Sequence, residues 1–235
     1  MAARKTQFLH TLDIDGAAVP LLVRRHAQAR RLILRLDDAG TGAVVTIPKS
    51  VSFQEGVDMA QRKSNWIKRQ LAKRPETVDF EDGVEVPFLG QPHAVRHVPS
   101  GRGVQIVDGE IHVAGRIEHL RRRLTDWFKA EARREMSART HAKAENIARQ
   151  VHKITIRDTH SRWGSCGSSG TLNFSWRLVM APDYVLDYVV AHEVAHLIHR
   201  DHGAEFWALT DSLTARMQES RDWLNAFGRD LHRYN

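Results

Sequence analysis

The sequence predicts an α+β fold, with a strand-rich N-terminal half and a C-terminal half built around long helices. Short runs of branched apolar residues, separated by Gly and polar turns, fill most of residues 1–114. Stretches with helical periodicity occupy much of residues 115–235. We therefore expect a β-rich region over 1–114 with one helix, and a second region over 115–235 that opens with a long basic helix. The sequence shows no internal repeat and no linker rich in Pro, Gly or Ser.

Three strands are predicted in the first third of the chain. The runs AVPLLVRR, RRLILRLD and GAVVTIPK are short and rich in Val, Ile and Leu, and the GTG at 40–42 is typical of a hairpin turn. A helix over about 52–74 follows. It begins with the Ser52–Glu55 spacing of a capping box, and Pro75 would end it.

Strands return between residues 78 and 114 and precede a long helix over 116–149. The runs VEVPFLG, HAVRHV, GVQIVDG and EIHVAG have strand character, and Asp108-Gly109 predicts a hairpin between the last two. No Pro or Gly interrupts the helix that follows. Its inner stripe is formed by Leu120, Leu124, Trp127, Phe128 and Ala132.

The remaining residues combine two strands with further helices. KITIRD and the alternating run TLNFSWRLV are predicted strands, and GSCGSSG between them is a predicted flexible turn. Pro182 can begin a helix, because the first helical position tolerates a missing N–H, and the helix should extend to about Arg200. Gly203 interrupts the pattern, and the run AEFWALTDSLTARM resumes it.

The composition is that of a globular protein. Hydrophobic residues make up 42% and charged residues 27% of the 235 residues. The single cysteine, Cys166, cannot form an internal disulfide, which fits a reducing compartment. The N-terminus lacks the apolar segment of a signal peptide, and no apolar run approaches the roughly 20 residues that span a bilayer. We therefore expect a cytoplasmic protein with no membrane partner.

The chain is basic, with a formal net charge of +7 and a pI of about 9.9. Residues 116–149 contain ten Lys and Arg against five Asp and Glu, and further basic clusters lie at 23–31 and 62–74. Such a surface is most often a solvated face, although it can also bind a nucleic acid. The sequence lacks the aromatic and basic pattern of a known nucleic-acid reader, which favours the solvated face.

His192, Glu193 and His196 form an H-E-x-x-H motif in the apolar run VVAHEVAHLIH. On a helix, residues i and i+4 lie one above the other, so both imidazoles can bind one Zn²⁺. Glu193 can lean toward the open position and take a proton from an activated water. The flanking Val, Leu and Ile residues indicate a buried helix, where imidazoles need partners. The motif therefore predicts a metal site on a buried helix.

His199 and His202 compete for the third ligand position that a catalytic zinc requires. A straight helix would carry His199 too far along its axis to share a tetrahedral metal with His192 and His196. His202 comes directly after Arg200 and Asp201, and the helix is predicted to break near Gly203, so the chain there can turn back over the metal. We therefore expect His202 to complete the site.

These residues also resemble a known family. The run HEVAHLIHRDHGAEFW, preceded by RWGSCGSSGTLNFSWRLVMAP, is similar to the YgjP-like metallopeptidase domain family and, more distantly, to the SprT-like and WLM zinc-peptidase domains. The resemblance implies a zincin-like C-terminal half and one Zn²⁺ per chain, with His192, His196 and His202 as ligands and Glu193 as general base. The spacing equals that of metzincins, but His199 stands where their Gly would be, so a metzincin turn is not implied.

Several residues before the motif could contact a substrate or the transition state. Arg162 could stabilise an oxyanion, although a structural ion pair is the commoner role of such an Arg. The run TLNFSWRLV could be an edge strand that binds an extended peptide by strand addition, or a plain core strand. Asn173 and Ser175 alternate away from its apolar face.

The leading hypothesis is therefore a zinc metallopeptidase that acts on a peptide or protein substrate. Three alternatives stay open: a zinc hydrolase of non-peptide amides or esters, a DNA-associated peptidase or nucleic-acid-binding module that uses the basic surface, and a zinc-stabilised domain without turnover.

Overall fold

A computed structural model of the chain describes residues 6–37, 41–72 and 76–235, and its architecture confirms the predicted α+β class. The chain divides into two compact units, Met1–Pro75 and Glu76–Asn235. The division follows Pro75, whereas the sequence pattern suggested a division after residue 114. The reason is that the second group of strands shares one hydrophobic core with the long helix and the C-terminal region. The predicted turn at Gly40 and helix stop at Pro75 lie outside the described residues.

The first unit contains a four-stranded sheet in the order β1-β2-β4-β3. Strands β2 and β4 are parallel, and the two outer pairs are antiparallel. The strands are β1 (Gln7–Ile14), β2 (Ala17–Arg25), β3 (Ile33–Leu36) and β4 (Ala43–Ile47). The sequence pattern did not predict β1, because only Leu12 and Ile14 of this strand are buried and the apolar alternation is weak.

Two helices, α1 (Phe53–Arg62) and α2 (Ser64–Ala72), replace the single helix predicted over 52–74. The predicted capping box is confirmed. The Glu55 amide donates to Ser52 Oγ at 3.2 Å, and the Ser52 amide donates to Glu55 Oε2 at 2.8 Å. Val57, Ala60 and Ile67 pack into the core of this unit.

The second unit opens with another four-stranded sheet, in the order β5-β6-β8-β7. The central pair is again parallel and the outer pairs are antiparallel, so the sheet repeats the topology of the first unit, a repeat the sequence does not reveal. Asp108 and Gly109 form the predicted hairpin turn, with φ values of 50° and 81°. The strands are β5 (Glu85–Phe88), β6 (Gln91–Val98), β7 (Val104–Val107) and β8 (Glu110–Ala114).

The long helix α3 (Leu120–Asn146) confirms the prediction over 116–149 and begins after a 3₁₀ turn at Ile117–His119. Its buried positions recur every four residues, so one stripe faces the core along the whole helix. Burial of this stripe joins the second sheet to the C-terminal elements. The stripe runs through Leu120, Leu124, Phe128, Ala132, Met136, Thr140 and Ala144.

A three-stranded sheet follows, in the order β10-β11-β9. Strand β9 (Lys153–Arg157) confirms the first predicted strand of this region. Strand β11 (Thr171–Ser175) is shorter than predicted, because a 3₁₀ helix begins at Trp176. Strand β10 (Gly164–Cys166) lies in the segment that the Gly and Ser content suggested to be a flexible turn.

Three helices complete the unit: α4 (Asp183–Ala195), α5 (Ala204–Leu213) and α6 (Met217–Phe227). Helix α4 is buried nearly all round, as the apolar run predicts. It ends at Ala195, about one turn before the expected end near Arg200, and a turn follows over residues 196–198. Within the described residues, no helix is both long enough and apolar enough to cross a membrane.

Candidate metal centre

Three histidines converge at the C-terminal end of α4. His192 lies in its last turn, His196 caps its C-terminus, and His202 lies in the segment before α5. One ring nitrogen from each lies within 4.8 Å of the other two, and His192 Nε2 is 3.2 Å from His202 Nε2. A tetrahedral site with metal–nitrogen bonds of about 2.1 Å separates its nitrogens by about 3.4 Å. The observed spacing therefore fits one metal ion.

His202 reaches this position because the chain turns immediately after the end of α4. The Gly203 amide donates to Asp201 Oδ1 at 3.1 Å, and α5 begins at the next residue. The fully buried ring of Phe206 then packs against all three histidines, with centroid distances of 4.9, 4.5 and 4.7 Å to His192, His196 and His202. Phe206 thus forms an apolar floor beneath the converging nitrogens.

His199, the alternative third ligand, is not part of this cluster. Its ring Nδ1 lies 3.7 Å from Glu205 Oε2, whose side chain is 87% exposed. Its carbonyl oxygen accepts a hydrogen bond from His196 Nδ1 at 2.9 Å. This bond fixes the His196 tautomer with the proton on Nδ1, which leaves the Nε2 lone pair free for a metal.

Burial favours the neutral form of two of these imidazoles, His192 and His196. It lowers the pKa of His192 to about 4 and also lowers the pKa of His196. The neighbouring imidazoles act in the same direction, since two cations would repel each other. Neutral imidazole is the form that binds a metal ion, so His192 and His196 are ready for binding at neutral pH.

Glu193 lies beside the triad and is 5% exposed. Burial raises the pKa of its carboxyl to about 7, and the Arg162 guanidinium opposes this shift. Its Oε2 has no hydrogen-bond partner within the described residues. An unpartnered buried carboxylate oxygen is costly, which indicates that it has a partner when the site is complete.

Gly164 makes room for this carboxylate. A β-carbon on Gly164 would lie 2.6 Å from Glu193 Cγ and Oε1, closer than any real contact allows. Its φ angle is not in the left-handed region, so the side chain of Glu193 and not the turn geometry requires a glycine here. The sequence analysis missed this residue, because nothing in the run RWGSCG indicates which side chain packs against it.

The model of the YgjP-like metallopeptidase domain matches residues 30–227, most of the chain. The chain belongs to this family. The resemblance inferred from the motif is therefore confirmed, and membership implies a metal ion and a peptide or protein substrate. No curated protein and no solved structure matches the chain significantly.

A cleft of about 510 Å³ gives the metal centre of this YgjP-like domain access to solvent. Arg162, Cys166 and Arg200 line it together with the histidines and Glu193. The Arg200 guanidinium donates to Gly167 O at 3.0 Å and lies 3.4 Å from Cys166 Sγ. Burial raises the pKa of the Cys166 thiol, so the neutral thiol predominates at pH 7.

In the YgjP-like domain, the strand at the edge of the sheet next to α4 is β10 and not β11, the strand expected there. Strand β11 is central in its sheet and has no free edge, so the expectation that TLNFSWRLV receives a peptide is wrong. Asn173 accepts from Thr155 Oγ1 at 2.8 Å and donates to Ser165 Oγ at 3.2 Å, and Ser175 is fully buried. The edge next to α4 belongs to β10, which pairs with β11 on one side only. Strand order depends on the parallel pairing with β9, which no local pattern reveals.

The basic surface of α3 is largely paired within the protein. Arg122 lies 3.4 Å from Asp126, Arg134 lies 2.7 Å from Glu131, and Arg139 pairs with Glu135 and Asp183. Lys143 lies 2.8 Å from Asp187, which adds a further pair. Asp183 and Asp187, which lie outside this helix, therefore offset part of its excess positive charge, and nucleic-acid binding stays a prediction.

Proposed function

We propose that the chain is a zinc metallopeptidase in which His192, His196 and His202 hold one Zn²⁺ and Glu193 is the general base. The observation that carries this proposal is the convergence of three imidazoles beside a buried carboxylate in a cleft open to solvent. Three protein ligands leave a fourth position for water or substrate, which is the arrangement of catalytic rather than structural zinc.

The donor set favours a transition metal such as zinc over magnesium or calcium. Three imidazole nitrogens suit Zn²⁺, whereas Mg²⁺ and Ca²⁺ prefer oxygen ligands. When bound, Zn²⁺ supplies Lewis acidity, which polarises a carbonyl and lowers the pKa of water. A dication at the histidines would also lower the pKa of Glu193, so the carboxylate form would predominate at neutral pH.

Glu193 then acts as the proton carrier of the reaction. Its carboxylate takes a proton from the water that attacks the scissile carbonyl and delivers the proton to the leaving amine. Gly164 lets this side chain approach the cleft, and the enclosed position excludes competing solvent. In this proposal Arg162 stabilises the developing oxyanion, a role supported by its position in the lining of the same cleft and by its electrostatic effect on Glu193.

Strand β10 offers the substrate a backbone template. Its free edge lies beside α4 and lines the cleft through Gly164, Ser165 and Cys166. An extended peptide can pair with such an edge through main-chain hydrogen bonds, so that its carbonyl is presented to the metal centre. This role replaces the one expected for β11. Non-peptide amides and esters share the same chemistry and form a second substrate class for the test.

The test compares wild type and Glu193→Gln, each loaded with one equivalent of Zn²⁺, on a mixed peptide library and on a set of small amides and esters. We expect the wild type to cleave peptides, and Glu193→Gln to lose about 10²–10⁴-fold in rate because the general base is gone. The zinc content should be the same in both proteins.

The matched control is Glu205→Gln, the same change at an exposed carboxylate near His199. Its rate should equal that of the wild type. Equal rates for wild type and Glu193→Gln would contradict the role of Glu193, and cleavage of esters but not peptides would replace the peptidase by the second substrate class.

A further inference from the structure

A second cavity lies next to the metal cleft and has its own chemistry. Its volume is about 340 Å³, and it shares Ser161, Arg162, Gly164 and Ser165 with the metal cleft as a common wall. Arg157, at the end of β9, also lines this cavity and does not line the metal cleft. A substrate bound at the metal centre along β10 would therefore extend into this cavity, which we call the arginine cavity.

The arginine cavity has a positive lining without a compensating acid. Arg157 and Arg162 both line it, and no acidic residue does. Within the described residues, neither arginine forms an ion pair with a carboxylate. The nearest carboxylate in sequence, Asp158, pairs instead with Arg177 at 2.9 Å. Two guanidinium groups at one concave surface therefore keep their hydrogen-bonding capacity for a ligand.

Neutral polar side chains of the three-stranded sheet also line the arginine cavity, among them Ser165 and Asn173. Thr155, Asn173 and Ser165 form a hydrogen-bonded row across β9, β11 and β10. In this row Thr155 donates to Asn173, and Asn173 donates to Ser165 Oγ, so the Ser165 hydroxyl proton is left for another acceptor. The row ends on the wall shared with the metal cleft. Arginines together with hydroxyl donors form a typical site for an anionic oxygen group.

Among the described residues that line the two cavities, Glu193 is the one carboxylate, and it lines the metal cleft. Arg162 lines both cavities and acts electrostatically on Glu193, whose carboxylate faces the metal cleft. Arg157 lines only the arginine cavity, and no acidic residue in the described part of the chain lines that cavity. Recognition of an anion in the arginine cavity therefore depends chiefly on Arg157.

We propose that the arginine cavity is a specificity subsite for a carboxylate of the peptide substrate, close to the scissile bond. The carboxylate is either the side chain of Asp or Glu or the free C-terminus of the peptide, since both offer the same planar pair of oxygens to a guanidinium. This inference rests on the proposed peptidase function. It identifies the preferred substrates as acidic peptides and makes Arg157 a specificity-determining residue.

The test measures binding of three peptides of equal length to zinc-loaded Glu193→Gln protein, by fluorescence anisotropy. One peptide has an internal Asp and an amidated C-terminus, the second has Asn in its place with a free C-terminal carboxylate, and the third has Asn and an amidated C-terminus. At about 0.15 M salt, the screening length of about 8 Å limits distant charge effects. We expect one of the first two to bind about tenfold more tightly than the third, and which one identifies the source of the carboxylate.

The decisive variant is Arg157→Gln, and its matched control is Lys153→Gln. Both residues are exposed cations of β9, but Lys153 does not line the arginine cavity. Arg157→Gln should abolish the preference, and Lys153→Gln should preserve it. In the active protein, Arg157→Gln should raise KM for the preferred peptide about tenfold and leave kcat unchanged.

Equal binding of all three peptides would overturn the subsite. An equal loss of preference in Arg157→Gln and Lys153→Gln would overturn it as well, because the preference would then depend on the overall charge of the protein and not on Arg157. Two further outcomes separate the carboxylate subsite from the peptidase function on which it rests. Peptide cleavage without any carboxylate preference would support the peptidase and overturn the subsite. Carboxylate-dependent binding that requires Arg157, with no cleavage by the wild type, would support the subsite and overturn the peptidase.

Discussion

His192 and His232 are two partly buried histidines of the same unit with similar local properties. Burial lowers the pKa of each to about 4. Each has a buried Nδ1 without a hydrogen-bond partner within the described residues. Each also packs against an aromatic ring, with Phe206 at 4.9 Å from His192 and Trp163 at 5.0 Å from His232. Neither burial nor the lowered pKa distinguishes the two residues.

They differ in what surrounds their rings. His192 has two further imidazoles, His196 and His202, at centroid distances of 5.0 and 5.1 Å, with nitrogens that converge on one point. His232 has the ring of His160 at 4.9 Å and an interplanar angle of 30°, and Arg177 contributes to its lowered pKa. Within the described residues, His232 belongs to no group of three candidate ligands. Converging lone pairs, and not burial, therefore identify the metal centre in this fold.

The strongest test of this comparison is the pair of variants His192→Phe and His232→Phe. Loss of one ligand should lower zinc affinity by more than about 100-fold, because even changes to groups that only orient a ligand cost 10–100-fold. His232→Phe should retain the wild-type affinity, since it keeps an aromatic ring against Trp163. Competition titration against a chromophoric chelator measures both. Equal losses in the two variants would show that packing of the unit, rather than ligation, controls zinc binding.

Gly164→Ala extends the comparison to Glu193, the buried carboxylate beside the three histidines. The added methyl group would displace Glu193, and a misplacement of about 1 Å in a catalytic group can reduce kcat about 100-fold. Zinc content and thermal stability should change little. Gly167→Ala is the matched control, because its β-carbon would meet the nearest atom, Thr171 O, at 3.5 Å, an ordinary contact. Wild-type kcat in Gly164→Ala would show that the position of Glu193 does not limit the reaction.

The smallest expected effect concerns pH and the stability of the metal-free protein. His232 has a folded-state pKa near 4, below its ordinary value of 6.5, so the unfolded chain binds the proton more readily. Its contribution to stability is therefore complete above about pH 6.5 and is lost as the pH falls toward about 4. His192 titrates in the same window. Urea midpoints measured across this window should depend less on pH in His232→Phe than in wild type, and an unchanged dependence would contradict the lowered pKa.

The sequence predicted most of the metal centre because its signals are local. The H-E-x-x-H spacing places His192, Glu193 and His196 together on any helix. The position of His202 followed from the break near Gly203, and the structure places His202 beside the other two. Their role as ligands stays a prediction, as does the role of Glu193.

The end of α4 could not be predicted, because the apolar run continues to Ile198 while the helix stops at Ala195. The turn is fixed by hydrogen bonds from the Leu197 amide to Val194 O and from His196 Nδ1 to His199 O. Neither bond has a signature in the hydrophobic periodicity.

The remaining differences depend on contacts between distant segments. The division after Pro75 was hidden because strands with similar alternation lie on both sides of it. The edge position of β10 depends on the pairing of β11 with β9. The requirement for Gly164 depends on a side chain 29 positions away in sequence. Tertiary contacts of this kind are not encoded in any single window.

The most direct test of the central claim is the metal content of purified wild type, His202→Ala and His199→Ala by elemental analysis. His202→Ala removes one of the three converging nitrogens, whereas His199 contributes its backbone carbonyl to the site, and this carbonyl is retained in His199→Ala. We predict about one equivalent of zinc in wild type and His199→Ala, and a loss of zinc in His202→Ala. A wild type without zinc, or a loss confined to His199→Ala, would contradict the proposed metal centre.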